Sequence, residues 1–285
     1  MLREESGAQV ELIVVSGEGD PEPRSPGPLE GNAIATAPPA SDYYQKKNFG
    51  FTQSDGAIVV FADSDLAPEP GWLAALVAPF ADPATLAVVG LTHLETRTHY
   101  ERAMALFWIF DTRTAEDSLR PTRRLVSNNI AFRRGLFGAL RFPDRPTYRG
   151  QCSELGATLE RFGVPLWEAT GARAAHPAPA GLAGFIRRAL RAGRDAAWSD
   201  ASRGVPAATL RIWRTDTAAV RDRVKRRAPT IGATMADRVL ARCLAWAYYG
   251  VKALAYAGAR ARLERTQQAA PPSAEGSRAA VRSCR

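Results

Sequence analysis

Cysteine is scarce in this chain of 285 residues. Cys152, Cys243 and Cys284 stand far apart, without the paired spacing of a zinc knuckle or a disulfide framework. Histidine and methionine number three each, which excludes a metal store built from repeated imidazoles or thioethers. Long hydrophobic runs are missing too. The most apolar stretch, residues 243–259, is interrupted by Lys252 and falls short of the roughly 20 residues a spanning helix needs. No secretory apolar segment opens the chain and no internal repeat is visible. These absences point to a reducing cytoplasm.

What is present is a globular composition, 46% apolar, with ample length for a core. Its net charge of +9 is segregated. Residues 1–182 carry 17 basic and 22 acidic side chains, whereas residues 183–227 carry 12 and 4 and residues 228–285 carry 9 and 3. The front of the chain is acidic and all the positive excess lies behind it. Such segregation suits an anionic membrane surface, a nucleic acid or a phosphorylated lipid, or leaves a solvated basic face. Nucleic acid is set aside, because the basic residues lack aromatic interleaving and a recognisable module.

The most informative local feature is Asp63-Ser64-Asp65 at the end of Ala57-Ile58-Val59-Val60-Phe61-Ala62. The apolar run has the length and β-branching of a buried parallel strand. Parallel sheets bind ligands beyond the carboxyl ends of their strands. Alternate residues there can converge on one hard cation, while the small Ser64 points away. Mg2+ or Mn2+ held by one or two carboxylates fills its remaining positions with water and phosphate oxygens. Two solvated loop acids are the alternative.

Along the chain, strands are expected at Val10–Val15, Asn32–Thr36, the Asp63 run, Leu86–Leu91 and Leu166–Glu168. Helices are expected at Ser41–Ser54 with Ser41 or Asp42 as N-cap, Pro68–Phe80, Tyr100–Asp111 and Gly150–Phe162, the last ending at Gly163. Residues 16–31 read as an exposed loop and Arg120–Arg124 as a basic one. This alternation predicts an α/β fold with a mostly parallel sheet flanked by helices and a helical C-terminal extension.

Lys46-Lys47-Asn48-Phe49-Gly50-Phe51, then the strand with Asp63-Ser64-Asp65, then Pro70-Gly71-Trp72-Leu73 resemble the family-two nucleotide-sugar glycosyltransferases of GT-A fold. Ser127-Asn128-Asn129-Ile130-Ala131-Phe132-Arg133-Arg134 is similar to that family's Asn-x-Ala-Phe-Arg-Arg segment. Gly150 to Gly163, followed by Pro165 to His176, is similar to its acidic helix and the strand leading to His. The resemblance runs from about Val10 to Pro179. It implies a metal-dependent, inverting transfer of sugar from a nucleoside-diphosphate sugar to a saccharide or lipid-linked acceptor. It implies donor contacts from Lys47, Asn48 and Asp63, metal ligation by Asp63, Asp65 and His176, and acceptor contacts from Asn128, Asn129 and Gln151. The two asparagines read equally as a turn pair. Arg133 and Arg134, with Arg123 and Arg124, are candidates for phosphate contact, and Trp72 and Trp108 for packing.

Two departures stand out. The family's Glu-Asp pair aligns with Gln151-Cys152, so Glu154 becomes the candidate general base, with a solvated helix carboxylate as the alternative; a thiol near its ordinary pKa of ~8.5 is a poor base. The family also opens with a strand and helix that build the nucleotide pocket, while nine residues precede Val10 here. That implies either a start further upstream or an incomplete pocket.

The chain is thus expected to divide into a GT-A-like catalytic part (1–182), a basic helical extension (183–268) and a disordered tail (269–285). On a helical wheel Arg238, Arg242, Tyr249, Lys252, Tyr256 and Arg260 share one side. That face suits a helix lying on an anionic membrane, peripheral to its inner surface, or a helix packing on the catalytic part. Two function classes remain: a glycosyltransferase, and a relative that keeps the fold as a binding or scaffold protein.

Overall fold

Eight strands and eight α-helices are placed by a computed structural model that describes residues 9–20, 32–207 and 209–269. Residues 21–31 of the expected loop and 270–285 of the expected tail lie outside them. Strands β1 (Leu12–Ser16) and β2 (Asn32–Thr36) pair in parallel as a sheet of their own. Helix α1 (Tyr43–Thr52) follows, started by a capping box in which Asp42 accepts from the Tyr44 and Gln45 amides and Gln45 answers the Asp42 amide. Gly50 of α1 lies against Val15: a Cβ there would come within 2.8 Å of that side chain.

The main sheet contains β3 (Ile58–Ala62), β4 (Ala67–Pro68), β5 (Ala87–Leu94), β6 (Leu119–Thr122), β7 (Asn129–Arg133) and β8 (Leu166–His176). Its order is β3-β7-β5-β8, with β6 and β4 both on the outer edge of β8. Three of the four central strands run the same way, and β7 is inserted antiparallel between β3 and β5. All eight residues of β5 are buried, as expected for a strand covered on both faces. One face carries α2 (Trp72–Val77) and the 3-10 turn Ala78–Ala81, through Trp72, Leu76 and Phe80. The other carries α1, α4 (Arg134–Ala139) and α5 (Gln151–Arg161), through Phe51, Phe137, Leu155 and Leu159 around Phe61 and Phe132. The expected α/β architecture is therefore present.

The pairing of β5 with β8 breaks once. Gly90 faces Ala169, but Leu91 faces Arg173, so residues 170–172 arch away from the ladder. The Asn129 amide fills the arch. Its Nδ2 donates to the Ala172 carbonyl at 3.1 Å, and its Oδ1 accepts from the Trp72 indole at 2.9 Å. A Cβ on Gly90 would stand 2.5 Å from Asn129 Nδ2 and 2.6 Å from the Ala172 carbonyl, so this position takes only glycine.

A third core joins α3 (His99–Phe107) to the C-terminal helices α6 (Gly181–Ser202), α7 (Thr209–Arg227) and α8 (Met235–Ala269). Of the two readings of the basic aromatic α8 face, most of it takes the packing one, although Arg242 stays exposed. Tyr256 is fully buried, its hydroxyl donating to Asp200; Arg260 is buried; Lys252 pairs with Asp216 at 2.6 Å. Acids on α6 and α7 are what let this polar face turn toward protein. The expected basic loop 120–124 is also different. Its first residues form β6, held to β8 by Arg120 donating to Glu168 at 2.6 Å.

Candidate active site

Helix α1 and the end of β3 build the centre. Tyr43 and Lys47, one turn apart on α1, face the same way and both donate to Asp63 Oδ1, at 2.6 and 2.8 Å. Asp63 is the first residue off β3, and a turn closed by the Leu66 amide on its carbonyl leaves Asp65 exposed. His176, buried at the end of β8, points its Nε2 at Asp65 Oδ1, 3.4 Å away. Among the described residues, Asp63, Asp65 and His176 place ligand atoms within 4.8 Å of one another.

The chemistry of this donor set fits a hard dication. His176 Nδ1 lies 2.7 Å from the Pro177 carbonyl. A carbonyl only accepts, so Nδ1 carries a proton, and Nε2 is the ring atom turned toward the carboxylates, the one through which this histidine would ligate. Donors around Mg2+ or Mn2+ at roughly 2.1 Å stand about 3–4 Å apart, so rotamer adjustments of about 1 Å would complete the set. The Phe110 ring, 4.8 Å from the imidazole, walls its other side.

A polar chain runs inward from Asp63. Tyr43 also meets the Ser127 hydroxyl at 3.0 Å, and Ser127 and Tyr44 both reach the Cys152 sulfur, Tyr44 at 3.1 Å. Burial, then the Asp63 charge, pushes the Tyr43 phenol far above its ordinary value. Burial likewise pushes the Cys152 thiol up, against smaller pulls from Ser127, Tyr44 and Lys47. Cys152 is therefore a protonated thiol at neutral pH. Tyr43 and Ser127 carried no local signal in the sequence; only the tertiary fold brings them to Asp63.

The remaining candidates are spread around this centre. Asn48 is engaged by both amide atoms with the Phe142 backbone, at 2.8 and 3.2 Å, and staples α1 to the segment after α4. Asn129 is fully buried in the arch. Asn128 is buried beside Thr92, and its Nδ2 has no partner among the described residues. Gln151 is fully buried, donating to the Thr147 carbonyl while its Oε1 has no partner among the described residues. Arg133 donates to the carbonyls of Thr85, Phe80 and Asp82, and Arg134 to Ser54. Arg124 pairs with Asp111 and Arg123 with Glu160. Trp72 and Trp108 are buried, as expected of packing residues.

Glu154, in the first turn of α5, is held by both oxygens on Arg145, at 2.9 and 2.5 Å. Arg145 lines an open cleft of about 640 Å³ with Asp42, Asp144, Tyr148 and Arg191. Arg191 of α6 stacks on the exposed Tyr148 ring at 4.7 Å, and the Tyr43 ring is 6.4 Å from Tyr148. Tyr43 thus connects the cleft to Asp63.

Residues 41–141 match the family model described as glycosyl transferase family 2. No curated protein matches the chain in sequence. Among solved structures, it is similar to GalNAc-T7 with UDP, GalNAc and Mn2+, at 15% identity and a TM-score of 0.40, over 52% of this chain and 32% of that one. It is similar to the mannosyltransferase PcManGT from Pyrobaculum calidifontis in complex with GDP-Man and Mn2+, at 19% identity and 0.43, over 84% and 62%. A mycobacterial protein matches at 21% identity and 0.45, over 69% and 65%. The chain therefore spans less than two thirds of each of these structures.

Proposed function

We propose that this chain, whose residues 41–141 form a glycosyl transferase family 2 segment, moves a sugar from a nucleoside-diphosphate sugar to a saccharide or lipid-linked acceptor, with inversion. The observation that carries the reading is the Asp63–Asp65–His176 cluster at the carboxyl ends of β3 and β8. A divalent cation held there would supply charge stabilisation for the departing diphosphate. Asp63 and Asp65 would offer it carboxylate oxygens and His176 its Nε2 lone pair. Lys47, whose ammonium now rests on Asp63, lies within reach of a phosphate oxygen bound beside that carboxylate, and Tyr43 holds Asp63 in place.

The cleft beside Tyr148 suits an acceptor sugar, with the exposed ring as an apolar platform and Arg145, Arg191 and Asp144 as polar contacts. Gln151, tied to Thr147 of the cleft wall, and Asn128 hold buried amide atoms, unpaired among the described residues, that an acceptor would meet only if the site opened. Glu154 takes the acceptor proton by exchanging one oxygen from Arg145 to the substrate hydroxyl. The enzyme works at the cytoplasmic side, peripheral to an anionic membrane. The Gln151-Cys152 pair favours one other reading, a non-catalytic binding protein of the same fold, because the Cys152 thiol stays protonated.

Calorimetric titration with a panel of nucleoside-diphosphate sugars, with and without Mn2+, separates the readings. At least one donor should bind only with the metal. If all bind equally without it, the cluster is not a metal clamp.

A further inference from the structure

Helix α8 turns four large apolar side chains of one face to solvent. Met235, Val239, Trp246 and Leu254 are 71, 54, 62 and 75% exposed. At 100° per residue these four fall within an arc of about 100°, with Cys243 and Gly250 between them and no acidic residue in the arc from 235 to 254. Arg242 stands at its edge. The stripe from 235 to 254 is about 28 Å long at 1.5 Å per residue. Its opposite side, through Ala241, Ala245, Tyr248 and Tyr256, is locked into the protein, and Trp213 of α7 meets Trp246 edge-on at 4.9 Å. The Trp246 ring, and the helix that carries the other three side chains, are therefore held by the fold. Large contiguous apolar surface on a soluble protein marks a docking site.

The charge identifies what it docks on. Residues 183–285 carry 21 basic and 7 acidic side chains. Two copies meeting through this stripe would bring two strongly positive segments together, whereas an anionic surface would be attracted to each. Lys225, Arg226, Arg242 and Arg262 are exposed. No helix among the described residues is long and apolar enough to cross a membrane, and a Trp/Met/Leu stripe on a helix anchored by tertiary packing fits the headgroup boundary.

We propose that the outer face of α8, through Met235, Val239, Trp246 and Leu254, lies in the interface of an anionic phospholipid bilayer with the helix axis in the membrane plane. This deepens the membrane-peripheral part of the proposed function and does not depend on the transfer chemistry.

The test is co-sedimentation of the full chain with vesicles of equimolar phosphatidylglycerol and phosphatidylcholine, and with phosphatidylcholine alone. The chain should pellet with the anionic vesicles only, and ~1 M salt should release part of it. The double variant Trp246→Ser/Leu254→Ser should bind the anionic vesicles at least about tenfold more weakly. Met235→Ser/Val239→Asn should weaken binding in the same sense. Phe162→Ser, an equally exposed apolar site elsewhere, should not, and circular dichroism should be unchanged in all three. Wild-type pelleting with no loss in either double variant overturns this face while sparing a membrane role. Absence of pelleting at low salt overturns both. A lipid-free dimer, split by the double variants in analytical ultracentrifugation, assigns the stripe to a second copy instead. Donor titration with Mn2+ reports the transfer reading separately in each case.

Discussion

Replacing Gly193 by alanine should destabilise the protein, although the same change one face away should stabilise it. Both Gly184 and Gly193 lie within α6, where alanine is worth about 1 kcal/mol more than glycine in intrinsic helix preference. A Cβ at Gly184 meets nothing within 4 Å. A Cβ at Gly193 would press into the Lys252 carbonyl oxygen, 2.7 Å from Ala255 Cβ and 2.9 Å from the Tyr256 amide nitrogen. Two of these three neighbours are backbone, so no side-chain rotation relieves the crowding and α6 must move off α8. Overpacking costs typically 1–3 kcal/mol, and a backbone collision belongs at the upper end. Subtracting the helix preference leaves a net loss of about 2 kcal/mol for Gly193→Ala, against a gain of about 0.5–1 kcal/mol for Gly184→Ala. Urea unfolding of the two variants in parallel is the assay, with opposite shifts in midpoint and unchanged slope. Thermal midpoints should move by about 2–4 °C per kcal/mol for a chain of this size. A Gly193→Ala protein as stable as Gly184→Ala would refute the backbone-to-backbone seam between α6 and α8.

Asp65→Asn removes a charged ligand and should weaken Mn2+-dependent donor binding by more than about 100-fold, beyond the 10–100-fold that losing a supporting partner costs; unchanged manganese-dependent affinity by calorimetry rejects the assignment. Glu154→Gln should lower turnover by about 100-fold or more with donor affinity kept, while Cys152→Ser stays mild; the reverse ranking in initial rates would move the proton to the thiol. Buried Asp237 caps α8 through Thr234 and pairs with His99 at 2.6 Å and Arg102 at 3.0 Å. Burial pushes its carboxyl upward, but these hydrogen bonds outweigh burial and hold it well below the usual range. Its stabilisation is complete above the unfolded value of about 3.9 and is lost as pH falls from there toward the lower folded value. Asp237→Asn should flatten the fall in melting temperature below about pH 4; an unchanged acid slope shows that other carboxylates govern it.

The parts of the fold legible in the sequence are those with local signatures. Ile58–Ala62 is an unbroken apolar run and emerges as β3, but as a half-buried edge strand paired antiparallel with β7, not the buried parallel strand expected. Asp42 followed by Gln45 three residues later writes the start of α1, and Gly150 and Gly163 bracket α5. The strand β6 was not legible. Leu119-Arg120-Pro121-Thr122 is polar and contains proline, tolerated because it is an edge strand, and its partner Glu168 lies far along the chain. The wheel of α8 separates two faces but does not say which is inward, because Asp200 and Asp216, which receive Tyr256 and Lys252, belong to other helices. Likewise the Asp63 and Asp65 carboxylates announce themselves by position, whereas Tyr43, Ser127, Tyr148 and Arg191 join the site only through contacts between elements. Asn129 reads from the sequence as an acceptor contact or as one of a turn pair; in the fold its amide seats the arch in β8.

That arch divides one strand between two tasks. Its first half, up to Ala169, is fixed in register by the core ladder. Its second half, from Arg173, pairs with the same strand β5 in a register shifted by three residues, and this second ladder, with His176 opposite Leu94, delivers His176 to Asp65. The three arched residues reset the register between the two ladders, and Asn129, Trp72 and Gly90 seat the bend from which the His176 half starts. If a cation binds at the carboxylate cluster as proposed, its affinity would respond to substitutions in the hydrophobic interior. A lineage of such chains could drift in cation preference through substitutions at a buried amide and indole while every ligand stayed the same.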